Sequence, residues 1–265
     1  MKKKDVIILT VSLVVGGVLT IITILFAFVF NEIDRVETAM KKEKIEVIRS
    51  KLDSLEQIAV TYYDSSLYDS AMLVCNEMVR LDSTDHYSFL LRSLIKAEMS
   101  DSTGAIDDVT KAVDLSPRSS IPYYMRGNYN LKRGDASDAL VDFEYAIKFM
   151  EDTVLDYFYL RGCAFMETEQ FKSALKDFEL SADFVNTSES FYHFGLSQYA
   201  VSQFDPALVN LRKSIELDST FSYPYYYRGL SNIELGFIEQ GCKDLKMALE
   251  LGYSEVQQEL DAYCL

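Results

Sequence analysis

The chain has 265 residues, 49% of them hydrophobic, enough for one membrane element plus a sizeable domain or an extended repeat array. Proline (4) and glycine (11) are too scarce for an all-β chain rich in turns, so the composition favours helices. A formal charge of −15 with no basic stripe excludes nucleic acid as a partner; the acidity serves solubility, and its sharper use would be attraction to cationic partners.

Residues 1–5 form a short basic tail with Lys2, Lys3 and Lys4. Val6 to Phe30 then runs 25 residues without a charge. A helix of that length rises about 37 Å and crosses a hydrocarbon core of about 30 Å with some tilt. The run is longer than the roughly 7–15 residues of a cleaved signal peptide. Its end, Phe26-Ala27-Phe28-Val29-Phe30, is a poor cleavage context, and no Cys follows to accept a lipid. Residues 6–30 are therefore expected to be an uncleaved transmembrane signal-anchor helix in the lipid bilayer. Lys2, Lys3 and Lys4 precede it, while Arg35, Lys41, Lys42 and Lys44 follow at greater distance, so the charge bias is slight. The expected orientation puts the N-terminus inside and the rest outside the cytoplasm, periplasmic in a Gram-negative cell.

Residues 31–50 are charged, with Ile33, Val36, Met40 and Val47 at spacings of three, four and seven. That pattern suits a juxtamembrane helix continuing from the membrane. Glu43 interrupts the stripe, which favours a lone solvated spacer over a coiled-coil stalk.

The rest of the chain, 51–265, is periodic. Ala71, Ala105, Ala139, Ala174, Ala207 and Gly241 lie 34, 34, 35, 33 and 34 residues apart. Twelve residues before each sits another small residue: Ala59, Ser93, Gly127, Gly162, Gly195 and Gly229. Four residues after each lies Cys75, Val109, Phe143, Phe178, Leu211 or Leu245. Small residues where two antiparallel helices cross let the backbones approach, and the larger one fills the groove between turns. Each hairpin leaves an apolar face uncovered, so the hairpins must stack. Pro117, Pro122, Pro206 and Pro224 fall at expected helix ends or first turns.

These six units resemble the tetratricopeptide repeat (TPR) family over about 205 residues, in the bacterial Tyr-x-x-Arg-Gly variety. Tyr123-Tyr124-Met125-Arg126-Gly127 through Asp138-Ala139-Leu140-Val141-Asp142-Phe143 is the best unit. The implied fold is an all-α superhelical solenoid of helix-turn-helix repeats near 52–85, 86–119, 120–153, 154–187, 188–221 and 222–253. A cap helix over 254–265 closes it, and one transmembrane helix precedes it.

A second periodicity concerns charge. Arg92, Arg126, Arg161 and Arg228 precede the first small residue in four units, and those units carry Asp108, Asp142, Asp177 and Asp244 three residues after the second. The other two units lack both partners, with Ile58 and Val74 in one and Phe194 and Asn210 in the other. This agreement predicts four structural Arg–Asp bridges between paired helices, not a phosphate site.

In the family the first helices line a concave groove where protein or peptide ligands lie. The resemblance carries that role onto Tyr124, Tyr159, Tyr192 and Tyr226, onto Asn128, Cys163, Leu196 and Leu230, and onto Leu131 and Tyr199 one turn later. The alternative is that the tyrosines pack unit against unit. The family's chaperone-tail clamp is not expected, because Glu56, Val60, Leu90, Leu94, Tyr124 and Tyr159 replace its Lys, Asn and Arg, and Asn128 alone matches.

Cys75, Cys163, Cys242 and Cys264 fit no zinc spacing and read as core thiols, although Cys242 and Cys264 fall in the last helices and could meet. His86 and His193 have no metal-ligand neighbour at helical spacing, and no phosphate loop or hydrolase motif occurs. No catalytic, metal or cofactor site is expected. The expected function is a membrane-anchored adaptor for a protein or peptide partner. The alternative is a permanent subunit of a membrane-associated complex that uses its convex face or its stalk.

Overall fold

The computed structural model describes the backbone of residues 3–151, 155–182 and 185–264, with side chains from Phe28 onward except at 155. All described regular elements are helical. By contact density the chain divides into two compact units, Met1–Ser83 and Thr84–Leu265.

The first unit holds α1 (Lys3–Asp64) and α2 (Tyr68–Leu81). The expected spacer and the first helix of the first repeat are thus one uninterrupted helix. Its last turns pack against α2, where Ala59, Ala71, Cys75 and Met78 are buried. Ile33, Val36, Met40 and Val47 are all more than half exposed. The anchor expected over 6–30 falls on side chains outside the described ones, apart from Phe28, Val29 and Phe30, which are exposed. Among the described residues no helix is long and apolar enough to cross a membrane.

The second unit is a run of hairpins: α3 (His86–Glu98) with α4 (Ser102–Leu115), α5 (Ser120–Arg133) with α6 (Ala136–Phe149), α7 (Leu155–Glu167) with α8 (Phe171–Ser181), α9 (Ser188–Ala200) with α10 (Phe204–Leu217), and α11 (Ser222–Glu234) with α12 (Ile238–Glu250). A 3-10 turn, Ser254–Val256, and α13 (Gln257–Tyr263) follow. They bury Val256 and Leu260 against Ile233 and Leu245. A disulfide between Cys242 and Cys264 ties the end of the chain back to α12.

Local chemistry sets the boundaries. Asp85 caps α3 by accepting from the Tyr87 and Ser88 amides, and Thr187 with Ser190 forms a capping box at α9. Pro122, Pro206 and Pro224 lie in first turns, where a missing N–H costs nothing. The turn inside every hairpin holds one residue at positive φ: Ser66, Ser100, Gly134, Glu169, Ser202 and Gly236. One backbone solution therefore recurs in all six hairpins, and glycine supplies it in only two of them.

The helix crossings follow a size rule. Where the first helix has Gly, the second presents Phe or Leu: a Cβ on Gly127 would meet Phe143 at 2.9 Å, on Gly162 Phe178 at 2.7 Å, on Gly195 Leu211 at 2.7 Å and on Gly229 Leu245 at 3.0 Å. Where the first helix has Ala59 or Ser93, the second has only Cys75 or Val109. At the crossing a larger side chain on one helix is accommodated by a smaller one on the other. Gly162→Ala should therefore cost about 1–3 kcal/mol by overpacking. Combined with Phe178→Val, the division used at Ser93 and Val109, it should cost less than the two single changes added together. Urea midpoints of the four proteins, followed by circular dichroism, check this.

Candidate partner-binding face of the first helices

The paired helices of the second unit are bolted by charge. Arg92 Nη2 lies 2.7 Å from Asp108 Oδ1, Arg126 Nη2 2.7 Å from Asp142 Oδ1, Arg161 Nε 2.7 Å from Asp177 Oδ2 and Arg228 Nη2 2.6 Å from Asp244 Oδ1. Each guanidinium makes two bonds to its carboxylate, a geometry open to Arg and not to Lys. The aspartates are buried, and the hydrogen bonds to Asp142 raise the Arg126 guanidinium further above its usual range.

Each arginine also lies over an aromatic ring three residues before it: Phe89, Tyr123, Phe158 and Tyr225, at 5.4–5.7 Å. Further donors complete three of the carboxylates: Lys96 on Asp108, Asn130 on Asp142 and Asn232 on Asp244. The fifth hairpin of the six, α9 with α10, lacks both charges and substitutes a neutral bond from Asn210 Nδ2 to Gln198 Oε1, 2.8 Å. The sequence pattern marked Asn210 as a departure but passed over Gln198, which sits at the register position of Asn130 and Asn232.

The first helices form a continuous row, with α5 touching α7, α7 touching α9 and α9 touching α11. The tyrosines named for the groove stand on this row and reach the next helix along it. Tyr124 stacks on Tyr157 at 4.5 Å. Tyr159 meets Phe178 and His193, and Tyr192 meets Phe221, Tyr223 and Tyr227. Tyr199 meets Tyr227, while Tyr226 meets Tyr227 and Tyr253 and donates to Glu259 Oε1 at 3.1 Å.

Tyr192 is buried, whereas Tyr124, Asn128, Leu131, Tyr159, Cys163, Leu196, Tyr199, Tyr226 and Leu230 are half-buried. The tyrosines therefore carry unit-to-unit packing and show only an edge to solvent. The exposed large apolar residues of the first helices in this unit are Tyr87 and Leu94 on α3, Ile121 on α5 and Tyr223 on α11. Sequence reasoning missed Tyr157, Tyr227, Tyr253 and His193 as members of the ladder.

Burial decides the chemistry of these groups. It pushes the Cys163 thiol up to about 12, against the hydrogen bond of Tyr159, which disfavours the thiolate. It raises Tyr124, Tyr159 and Tyr192 as well, with carboxylates or neighbouring tyrosines adding to the effect. It lowers His193 to about 4, among the rings of Tyr159, Phe178 and Tyr192, with Nδ1 lacking a hydrogen-bond partner among the described residues. No group of His, Cys, Asp and Glu among the described residues could hold a metal.

Solved structures share this architecture. YrrB, a TPR protein with an unusual peptide-binding site, superposes with a TM-score of 0.64 at 19% identity, over 71% of this chain and 97% of its own. Pseudomonas aeruginosa PilF gives 0.68 at 13% identity, over 81% and 98%. PilW, a type IV pilus biogenesis factor, gives 0.64 at 16%, over 79% and 97%. No family model and no curated protein matches the sequence. The fold is thus that of the tetratricopeptide repeat proteins.

Two outcomes follow from the buried polar groups. Arg161→Ala should strand the Asp177 carboxylate and cost about 3–5 kcal/mol, while Arg161→Met with Asp177→Leu should recover most of that loss in the same urea assay. His193 has a folded value below its unfolded 6.5, so its contribution is full above about pH 6.5 and is lost as pH falls towards about 4. At pH 5 the loss is roughly 2 kcal/mol. His193→Phe should therefore lose less stability than the wild type between pH 7.5 and 5.

Proposed function

We propose that this protein is a membrane-tethered, non-catalytic adaptor that holds a protein or peptide segment on the face of its first helices, outside the cytoplasm. The row of tyrosine edges together with exposed Leu94, Ile121 and Tyr223 carries the reading. Rigid aromatic anchors give contact area at little entropic cost, and tyrosine keeps a hydroxyl for the peptide backbone. YrrB has a peptide-binding site on the same architecture. The uncharged run over 6–30 supports the tether, which would concentrate the face near membrane partners. The Cys242–Cys264 disulfide supports an oxidising compartment.

A second reading, a permanent subunit docked through its stalk, draws on the exposed Ile33, Val36, Met40 and Val47 of α1. Affinity purification of the full chain after crosslinking in cells separates the two. The adaptor reading expects a partner on the wild type that is lost from Leu94→Ser/Tyr223→Ala at unchanged helicity, and release of the protein from membranes when residues 6–30 are deleted. The same partner on both forms would move the contact to the stalk or the convex face. A variant without 6–30 that still sediments with membranes would overturn the tether.

A further inference from the structure

We infer that the partner's contacting segment is cationic, a peptide in which Lys or Arg alternates with apolar side chains; this rests on the first-helix face being the binding face. The chain has two populations of carboxylates. Those at the helix crossings, Asp108, Asp142, Asp177 and Asp244, are buried and neutralised by arginine. Those along the first-helix row are treated differently by the fold.

Asp156 and Glu189 lie in the first turns of α7 and α9, and Glu167 and Glu234 at the ends of α7 and α11. All four are exposed, and none forms an ion pair among the described residues. Asp156 and Glu189 stand six residues before Gly162 and Gly195, the register position that Ile121 and Tyr223 hold before Gly127 and Gly229, and Glu167 and Glu234 stand one helical turn after the groove residues Cys163 and Leu230. Carboxylates without an ion-pair partner therefore flank the tyrosine row at its two rims, Asp156 and Glu189 at one and Glu167 and Glu234 at the other.

A second feature points the same way. Glu259 of α13 accepts from Tyr226 through Oε1, while its Oε2 is enclosed with no hydrogen-bond partner among the described residues. A carboxylate oxygen enclosed without a donor is costly, and it leaves a further unneutralised negative charge at the α13 end of the row. The exposed apolar edges beside these carboxylates favour the same ligand, because the aliphatic stem of Lys or Arg packs on apolar surface while its charge reaches out to a carboxylate. An acidic peptide would set like charges against this row at every hairpin. Lys132, on α5, is a cation at the end of its helix, so the acidic stretch runs from α7 to α13.

The test uses the full chain in zwitterionic detergent at 0.15 M salt, with fluorescence anisotropy of two labelled twelve-residue peptides. Both carry the same Leu and Phe residues, one interleaved with Lys and the other with Glu. The Lys peptide is expected to bind and the Glu peptide not. Glu167→Gln/Glu189→Gln/Glu234→Gln should weaken the Lys peptide about tenfold, the sum of three rim charges. A control triple on exposed second-helix positions, Glu144→Gln/Glu179→Gln/Glu216→Gln, changes net charge equally and should leave binding near wild type. Equal weakening by both triples would assign the attraction to the overall charge and overturn the inference. Equal binding of the two peptides, lost with Leu94→Ser/Tyr223→Ala, would overturn the cationic preference and leave the binding face intact. Failure of both peptides to bind would count against the face itself.

Discussion

The structure depends on how closely two helices can cross. Each hairpin brings its helices together at a small residue on either side, and the space left over is filled by one side chain of matched size. Gly162 under Phe178 and Gly195 under Leu211 show the limit, since a single methyl group would enter the van der Waals shell of the neighbour. Close-packed interiors leave no slack at such a point. The crossing fixes the separation of the helices and brings their facing side chains within bonding reach.

The Arg–Asp bridges depend on that separation. A guanidinium can grip a buried carboxylate with two bonds only if the helices stand at the right distance, and the same Arg then lies over the ring one turn earlier. Buried ion pairs add little net stability, but they penalise a slipped register heavily, because slippage would leave a charge enclosed and unpaired. The neutral Gln198–Asn210 pair performs the same bridging in the α9–α10 hairpin. What the five hairpins of the second unit retain is a polar link between the helices, and the chemistry of that link varies; the first hairpin has Ile58 and Val74 at those positions.

Stacked hairpins then place the tyrosines of one first helix against the next, so the proposed binding face and the packing between units are built from the same rings. Tyr192, buried among Phe221, Tyr223 and Tyr227, holds units together, and the solvent edges of its neighbours form the surface a partner would meet. The disulfide from Cys242 to Cys264 secures the last such contact by tying the chain end beside the cap that covers Leu245 and Ile233.

By itself the sequence determined what repeats along one dimension. The 34-residue period, the hairpins, the small residues at the crossings and the matched presence of Arg and Asp all follow from spacing, because partners within a hairpin keep a constant offset. Gln198 escaped notice because its role requires a neutral substitution at a site first recognised by charge. Tertiary structure alone decided what happens between units: which ring each tyrosine touches, that Tyr157, Tyr227, Tyr253 and His193 join the ladder, and that Cys242 meets Cys264. It also decided that the expected spacer and the first repeat helix are one helix, since no glycine or proline marks a break there and polar residues alone do not end a helix. The rotation from one hairpin to the next sets these contacts. That rotation results from the summed packing of many side chains, so no single spacing in the sequence encodes it.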